Sequence, residues 1–227
     1  MLEQTLYAHD EINAVRCLIR DHAWATLVSS VPRSGLIVSH LPVILDPERA
    51  DATVLGHLAR TDAELHQLGE HDTVLVIEGP NGYISPSVYQ HGPYVPTWNF
   101  VVAHIHGRPE PLGPEDAYGV LEATVDHFES QRPKPWSLHT VEEYARHIAP
   151  DVTAFRLNPT RIVGKAKLSQ EKPPEVALRV IAALDSGDDA HRNPELADAM
   201  RRILRKFPCD AAQPPDLNSG ELDNATP

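Results

Sequence analysis

Cations are scarce in this chain of 227 residues: 20 Lys plus Arg stand against 32 Asp plus Glu, a formal net charge of −12 at pH 7. A duplex-DNA binder works by placing cations on phosphates and releasing counterions, so nucleic acid is a disfavoured partner. Long apolar runs are lacking too. Nothing approaches the roughly 20 residues that a bilayer span needs, and the opening MLEQTLYAHDEINAV carries neither a basic leader nor a greasy stretch. No membrane partner is expected, and the chain reads as cytoplasmic. Two cysteines, Cys17 and Cys209, are too few for a disulfide framework or a thiolate metal site, and Cys17 reads as helix packing rather than a nucleophile. P-loop, GxGxxG, HExxH and GxSxG patterns are all absent, which leaves the usual nucleotide and hydrolase readings unsupported. What is present is a composition that can bury a core, 41% hydrophobic and 23% charged, together with 13 histidines. Histidine is the side chain that ligates iron or zinc while neutral.

Hydrophobic period divides the chain into a strand-rich first half and a helical second half. Asp10 predicts an N-cap for a helix bearing Ile12, Val15, Leu18 and Ile19 on one face. Runs 24–31 and 36–45 read as strands joined at Pro32-Arg33-Ser34-Gly35, and 53–59 and 73–78 as two more. Thr61 to Glu64 and Thr140 to Glu143 read as capping boxes, the first opening a helix to Leu68 and the second one to Ile148. Between 79 and 96 the Gly, Pro and Tyr content fits neither period and reads as a functional loop, before a strand at 97–106. Helices at 114–128, 174–184 and 193–206, the last capped by Asn193, alternate with strands at 152–157 and 162–165. The order argues α+β with a mostly antiparallel sheet closed into a barrel, peripheral helices, a body over 1–185, a C-terminal helix over 186–207 and a disordered tail over 208–227.

Three segments concentrate cations, hydroxyls and aromatics: Gly56 to Arg60, Gly79 to Asn99, and Gly164 to Lys172. That mixture suits a planar cofactor with anionic groups, rings stacking while cations hold phosphate or carboxylate. Arg60, Lys165 and Lys167 are the candidate anion holders, against the alternative of solvated surface charge. His57 is a candidate ligand or a satisfied structural histidine. His104 and His106, two apart, face one side of a strand as a metal pair for which the sequence places no third ligand. Trp98 and Tyr83 are core residues or stacking platforms.

Taken together, Ser39-His40-Leu41-Pro42, Gly56-His57-Leu58-Ala59-Arg60, Gly79-Pro80, Tyr83 to Ser87, Val95-Pro96-Thr97-Trp98-Asn99, Gly164-Lys165 and Lys167 to Gln170 resemble the PaiB family of split-barrel flavin-binding proteins over most of residues 1 to 185. The resemblance implies a six-stranded split β-barrel and a homodimer with the cofactor between subunits. It departs from the pattern at Val88 and Ala166, where the family has bulky aromatics, and at Glu171, where it has Asn. These departures look more like the family's heme-dependent branch, the piperazate synthases of nonribosomal peptide pathways. That branch implies heme b, with FMN as the alternative cofactor of a PaiB-type regulator or flavin oxidoreductase. It implies His57 as axial metal ligand and Arg60, Ser85, Trp98, Asn99, Lys165, Ser169 and Gln170 around the cofactor. Lys167, Tyr89 and His106 are the candidate proton donors for a reaction that closes L-N5-hydroxyornithine to L-piperazic acid with loss of water.

Overall fold

The computed structural model describes residues 1–90, 92–188 and 190–205. After a 3-10 turn at Thr5–Tyr7 comes α1, Ile12–Asp21, with Val15, Leu18 and Ile19 buried as their spacing requires. Asp10 does not cap it. Glu11 holds the N-cap position without a side-chain bond, because the preceding residues are held elsewhere, His9 N–H donating to Gly164 O at 3.1 Å. β1, Trp24–Val31, and β2, Gly35–Leu45, form the expected hairpin, with Arg33 and Gly35 at φ 69° and 82° supplying the turn. β3, Val54–Ala59, runs straight into α2, Arg60–Leu65. Thr61 therefore lies inside the helix, Ala59 sits at its N-cap, and the first capping box does not form.

β4, Thr73–Ile84, corrects the loop expected from residue 79. A register shift between Glu78 and Asn81 carries the strand past Pro80, whose missing N–H a bulge tolerates. A single turn, α3, Pro86–Tyr89, follows, then β5, Thr97–Gly107, and the three-residue β6, Pro109–Pro111. α4, Pro114–Glu129, leads to α5, Glu142–Ile148. The second capping box fails for a local reason: Thr140 Oγ1 donates back to Ser137 O at 2.8 Å, and Ser137 caps a 3-10 turn, Leu138–Val141, that precedes the helix. β7, Val152–Leu157, and β8, Arg161–Lys167, precede α6, Pro174–Asp185, and α7, Pro194–Arg205. Asn193 does cap α7, its Oδ1 accepting from Leu196 N–H at 3.1 Å. The expected tail over 208–227 lies outside the described residues.

All strands join one curled antiparallel sheet of eight, ordered β6-β7-β3-β2-β1-β4-β5-β8, rather than the six of the expected barrel. The additional pairing is on one flank, where β7 and the short β6 extend the sheet beyond β3. Alternation sends Leu27, Leu41, Val43, Leu75, Ile77, Ala103, Ile105 and Phe155 inward. α1, α6 and α7 close over them, and Leu196, Ala197 and Met200 of α7 belong to this same core. On the outer face, Ala117 and Val120 of α4 cover Ile44, Leu55 and Ala154. The rest of that face is bare, with Trp24 64%, Leu36 71% and Val38 54% exposed. Among the described residues no helix is long and apolar enough to cross a membrane.

Candidate functional site

Sheet register places His57 and Lys165 on two flanks of the outer face, while Asn99, Ser169 and Tyr89 face the interior. His57 pairs with Ala154, and one step beyond the Val43–Gly56 pair it stands opposite Pro42. Pro42 pairs with Trp24, whose row continues through Glu78 and Val102 to Lys165. His57 and Lys165 thus share one row five strand spacings apart, roughly 24 Å along the curled sheet. Within one chain they do not converge.

The His57 flank is sparse. Its ring is half-buried beside the patch covered by α4, and Nδ1 is fully buried with no hydrogen-bond partner in the described structure. Burial pushes the imidazole below the ordinary histidine range, and no charge counteracts it. The ring is therefore neutral with a nitrogen unspent, the state in which imidazole ligates a metal. Arg60 begins α2 three residues on, largely exposed, its guanidinium 3.9 Å from Asp151.

The second flank is dense. Asn99 and Ser169 are buried and bonded reciprocally, Asn99 Nδ2 to Ser169 Oγ at 2.9 Å and Ser169 Oγ to Asn99 Oδ1 at 3.3 Å. Gln170 folds back over the same turn, Oε1 accepting from Leu168 N–H and Nε2 donating to Ala166 O, both at 2.7 Å. These three side chains spend their polar atoms on shaping the turn after β8, where Ser169 sits at φ 64°. Lys167 Nζ donates to Thr97 Oγ1 and to Trp98 O, and desolvation lowers its pKa against the pull of Glu171. Trp98 is 52% exposed, with Nε1 donating to Asn81 Oδ1 at 3.2 Å and its ring edge-on to Tyr83. Lys165 is only 9% exposed and bonds to the first residues of the chain.

Ser85 caps α3, its hydroxyl 2.8 Å from that of Ser87. Both border a cavity of about 300 Å³ with Tyr83, Val88, Leu184 and His191. Val88 forms part of that cavity's wall. Ala166 instead faces the core at 1% exposure. Tyr89 is fully buried, its hydroxyl unpartnered and pushed up by burial, then by Glu171. His104 and His106 do share the outer face of β5, both held low first by burial, and no cluster of three or more metal-ligating side chains occurs among the described residues. Residues that the sequence reading missed are Asn81, Thr97, Tyr94 and Lys172. The Lys172 ammonium lies 4.2 Å from the Tyr94 ring centroid. All four lie inside the flagged segments 79–99 and 164–172, so the signal was in the segment and not in the individual residue.

Residues 1–161 match the family model described as "Putative FMN-binding domain". The protein named Protease synthase and sporulation protein PAI 2 of Bacillus subtilis (strain 168) is 24% identical over 191 residues, covering 83% of this chain and 90% of its own. The FAD and heme binding protein of Mycobacterium smegmatis superposes with a TM-score of 0.53 at 14% identity, over 74% of this chain and 77% of its own. The flavocytochrome Anf3 of Azotobacter vinelandii gives 0.54 at 14% identity, over 73% and 72%. These two likenesses show a shared fold.

Proposed function

The chain belongs to this FMN-binding domain family, and from that premise we propose that it is the heme-dependent variant of the fold, a piperazate synthase acting as a homodimer. The observation that carries the reading is His57: a half-buried, uncharged imidazole on the outer face of β3, its Nδ1 sealed inside and its Nε2 the ring nitrogen open to a ligand. Iron, if bound, would be held through Nε2, because Nδ1 is sealed from any ligand, and a neutral imidazole keeps the lone pair that such a bond needs. Arg60 and Lys165 are the cations suited to the propionates. Because they lie on opposite flanks of one face, two copies docked two-fold over Trp24, Leu36 and Val38 would bring the His57 flank of one against the Lys165 flank of the other.

The reaction is redox-neutral: the α-amino nitrogen of L-N5-hydroxyornithine forms a bond to N5, the N–O bond breaks, and the hydroxyl leaves as water. Bound heme would supply a Lewis-acidic iron at the hydroxylamine. The chain's own part is proton handling and positioning. Lys167, its pKa lowered by burial and its Nζ held by Thr97 and Trp98 O, would be the proton donor to the leaving hydroxyl. Tyr89 is a weaker candidate because its hydroxyl is sealed inside the body, and His106, on the same outer face as Lys165, lies about 13 Å along β5 from Val102, the residue paired with Lys165. Holding both nitrogens in a near-attack pose would supply much of the remaining acceleration.

A second reading, an FMN-binding regulator or flavin oxidoreductase of the PaiB type, is favoured by the family description itself. Reconstitution with hemin and with FMN separates the two. A Soret band that shifts in His57→Ala, with conversion of L-N5-hydroxyornithine to L-piperazic acid, supports the first. Tight stoichiometric FMN with no Soret band and no cyclisation overturns it.

A further inference from the structure

The first nine residues bury almost nothing, yet they are tied closely to the body. All but Tyr7 and His9 are exposed. Ala8 bridges Lys165 in antiparallel register, Gln170 Nε2 donates to Leu6 O at 3.3 Å, Glu3 pairs with Arg161, and the Tyr7 phenol is pushed up first by burial and then by the charge of Glu171. The segment wraps the free edge of β8. On the inner side His9 crosses Gly164 so closely that a Cβ there would lie 2.0 Å from His9 O, so only glycine lets the chain pass. On the outer side Leu2 O and Gln4 Oε1 accept from Lys165 Nζ at 3.2 and 2.9 Å.

We propose that residues 2–9 are a displaceable strap, standing in at Lys165 for the anionic end of a cofactor and released when a phosphate or carboxylate arrives there. This rests on the cofactor-binding reading above and adds its control. Lys165 is 9% exposed, and within the described residues its ammonium meets two neutral oxygens and the Tyr7 ring rather than a carboxylate. A cation withdrawn from water gains most from an ionised partner, whose hydrogen bonds are about twice as strong as neutral ones. Displacing the strap forfeits mainly exposed polar contacts and disturbs no core residue, so it can open locally while the barrel stays folded. The propionates of heme and the phosphate of FMN present the same chemistry to this ammonium.

Acylation of Lys165 by an acetyl ester, read by peptide mass spectrometry, and amide exchange over residues 2–9 test the strap in the full-length protein. Hemin, FMN and inorganic pyrophosphate serve as probes. Gly164→Ala pushes the strap away at His9, and Gln4→Ala removes one bond to Lys165 without touching β8. In the cofactor-free protein both variants should raise the Lys165 acylation rate, by about tenfold for the loss of one or two hydrogen bonds. A saturating probe should protect Lys165 while residues 2–9 become freely exchanging. Equal Lys165 reactivity in the wild type and both variants, or a strap still protected when a probe shields Lys165, overturns the proposal. So does the failure of all three probes to shield Lys165. If pyrophosphate alone shields Lys165 and frees the strap, the strap stands and the cofactor reading falls; if hemin or FMN binds with Lys165 still reactive, the reverse holds.

Discussion

Replacing His57 by leucine should stabilise the cofactor-free protein while removing the proposed metal ligand. The imidazole Nδ1 is buried without a partner, and an unsatisfied buried polar atom costs about 1–3 kcal/mol. Its surroundings are ready for an apolar side chain: Ala154 lies across the strand pair, and Leu55, on the same face two residues back, packs with Ala117 and Val120 of α4. Leucine keeps most of the volume and removes the orphaned nitrogen. The expected gain is about 1–2 kcal/mol, worth about 2–4 °C in Tm per kcal/mol for a chain of this size. Urea unfolding of the cofactor-free protein at pH 8 is the appropriate assay, because histidine is then neutral in both the folded and unfolded states and no protonation difference contributes. His57→Asn, which restores a polar atom near the Nδ1 position, should show no gain. A His57→Leu variant less stable than wild type by 1 kcal/mol or more, at unchanged m-value, would refute the reasoning. The nitrogen would then be satisfied within the folded chain.

Acid should weaken the fold through its buried histidines. Burial holds His9, His57, His66, His104 and His106 below the ordinary histidine pKa, so on acidification the unfolded chain takes up protons first. Stability is then fully present above about pH 6.5, falls as pH drops below it, and stops falling once the folded pKa values are passed. His66, 1% exposed and with Nδ1 bonded to Ser29 Oγ at 2.8 Å, contributes a slope of up to about 1.4 kcal/mol per pH unit, the more exposed rings less. A urea midpoint that does not change between pH 8 and pH 5.5 contradicts this. Separately, Asn99→Ala should cost about 2–3 kcal/mol, since it leaves the buried Ser169 hydroxyl unpaired, and a double-mutant cycle with Ser169→Ala should show coupling of at least about 1 kcal/mol. Additive losses in that cycle would mean the two side chains act independently.

Legibility followed the period of the pattern. β1 and β7 occupy the ranges read from alternation, and α6 and α7 begin within a residue of expectation, because each repeats its burial over at least three positions. What failed was decided by a few residues whose role depends on distant chain. Thr61 and Thr140 have the right neighbours for capping boxes, but strand β3 enters its helix without a linker and Ser137 captures Thr140 first. Pro80 and Gly79 read as breakers, yet a bulge absorbs them into β4. At the site, His57 and the cations were visible as residue types, whereas their separation on opposite flanks comes only from the register of six strands. The strap had no periodic signal at all. Gly164 looked like motif chemistry, and its role as the point where His9 crosses is a matter of tertiary approach.

The burial of Leu196, Ala197 and Met200 in the same core as the first hairpin has a consequence for biosynthesis. The hairpin is made early, but α7, which packs on β4 and α6, follows only after all eight strands. At about 5–20 residues per second, roughly 10 to 35 seconds of translation separate Trp24 from Met200. Through that interval α1 covers part of the sheet interior, and the part that α7 closes over β4 stays open. Folding of this chain is therefore largely post-translational, and a ribosome that stalls before α7 emerges leaves a product that chaperones must hold or proteases remove.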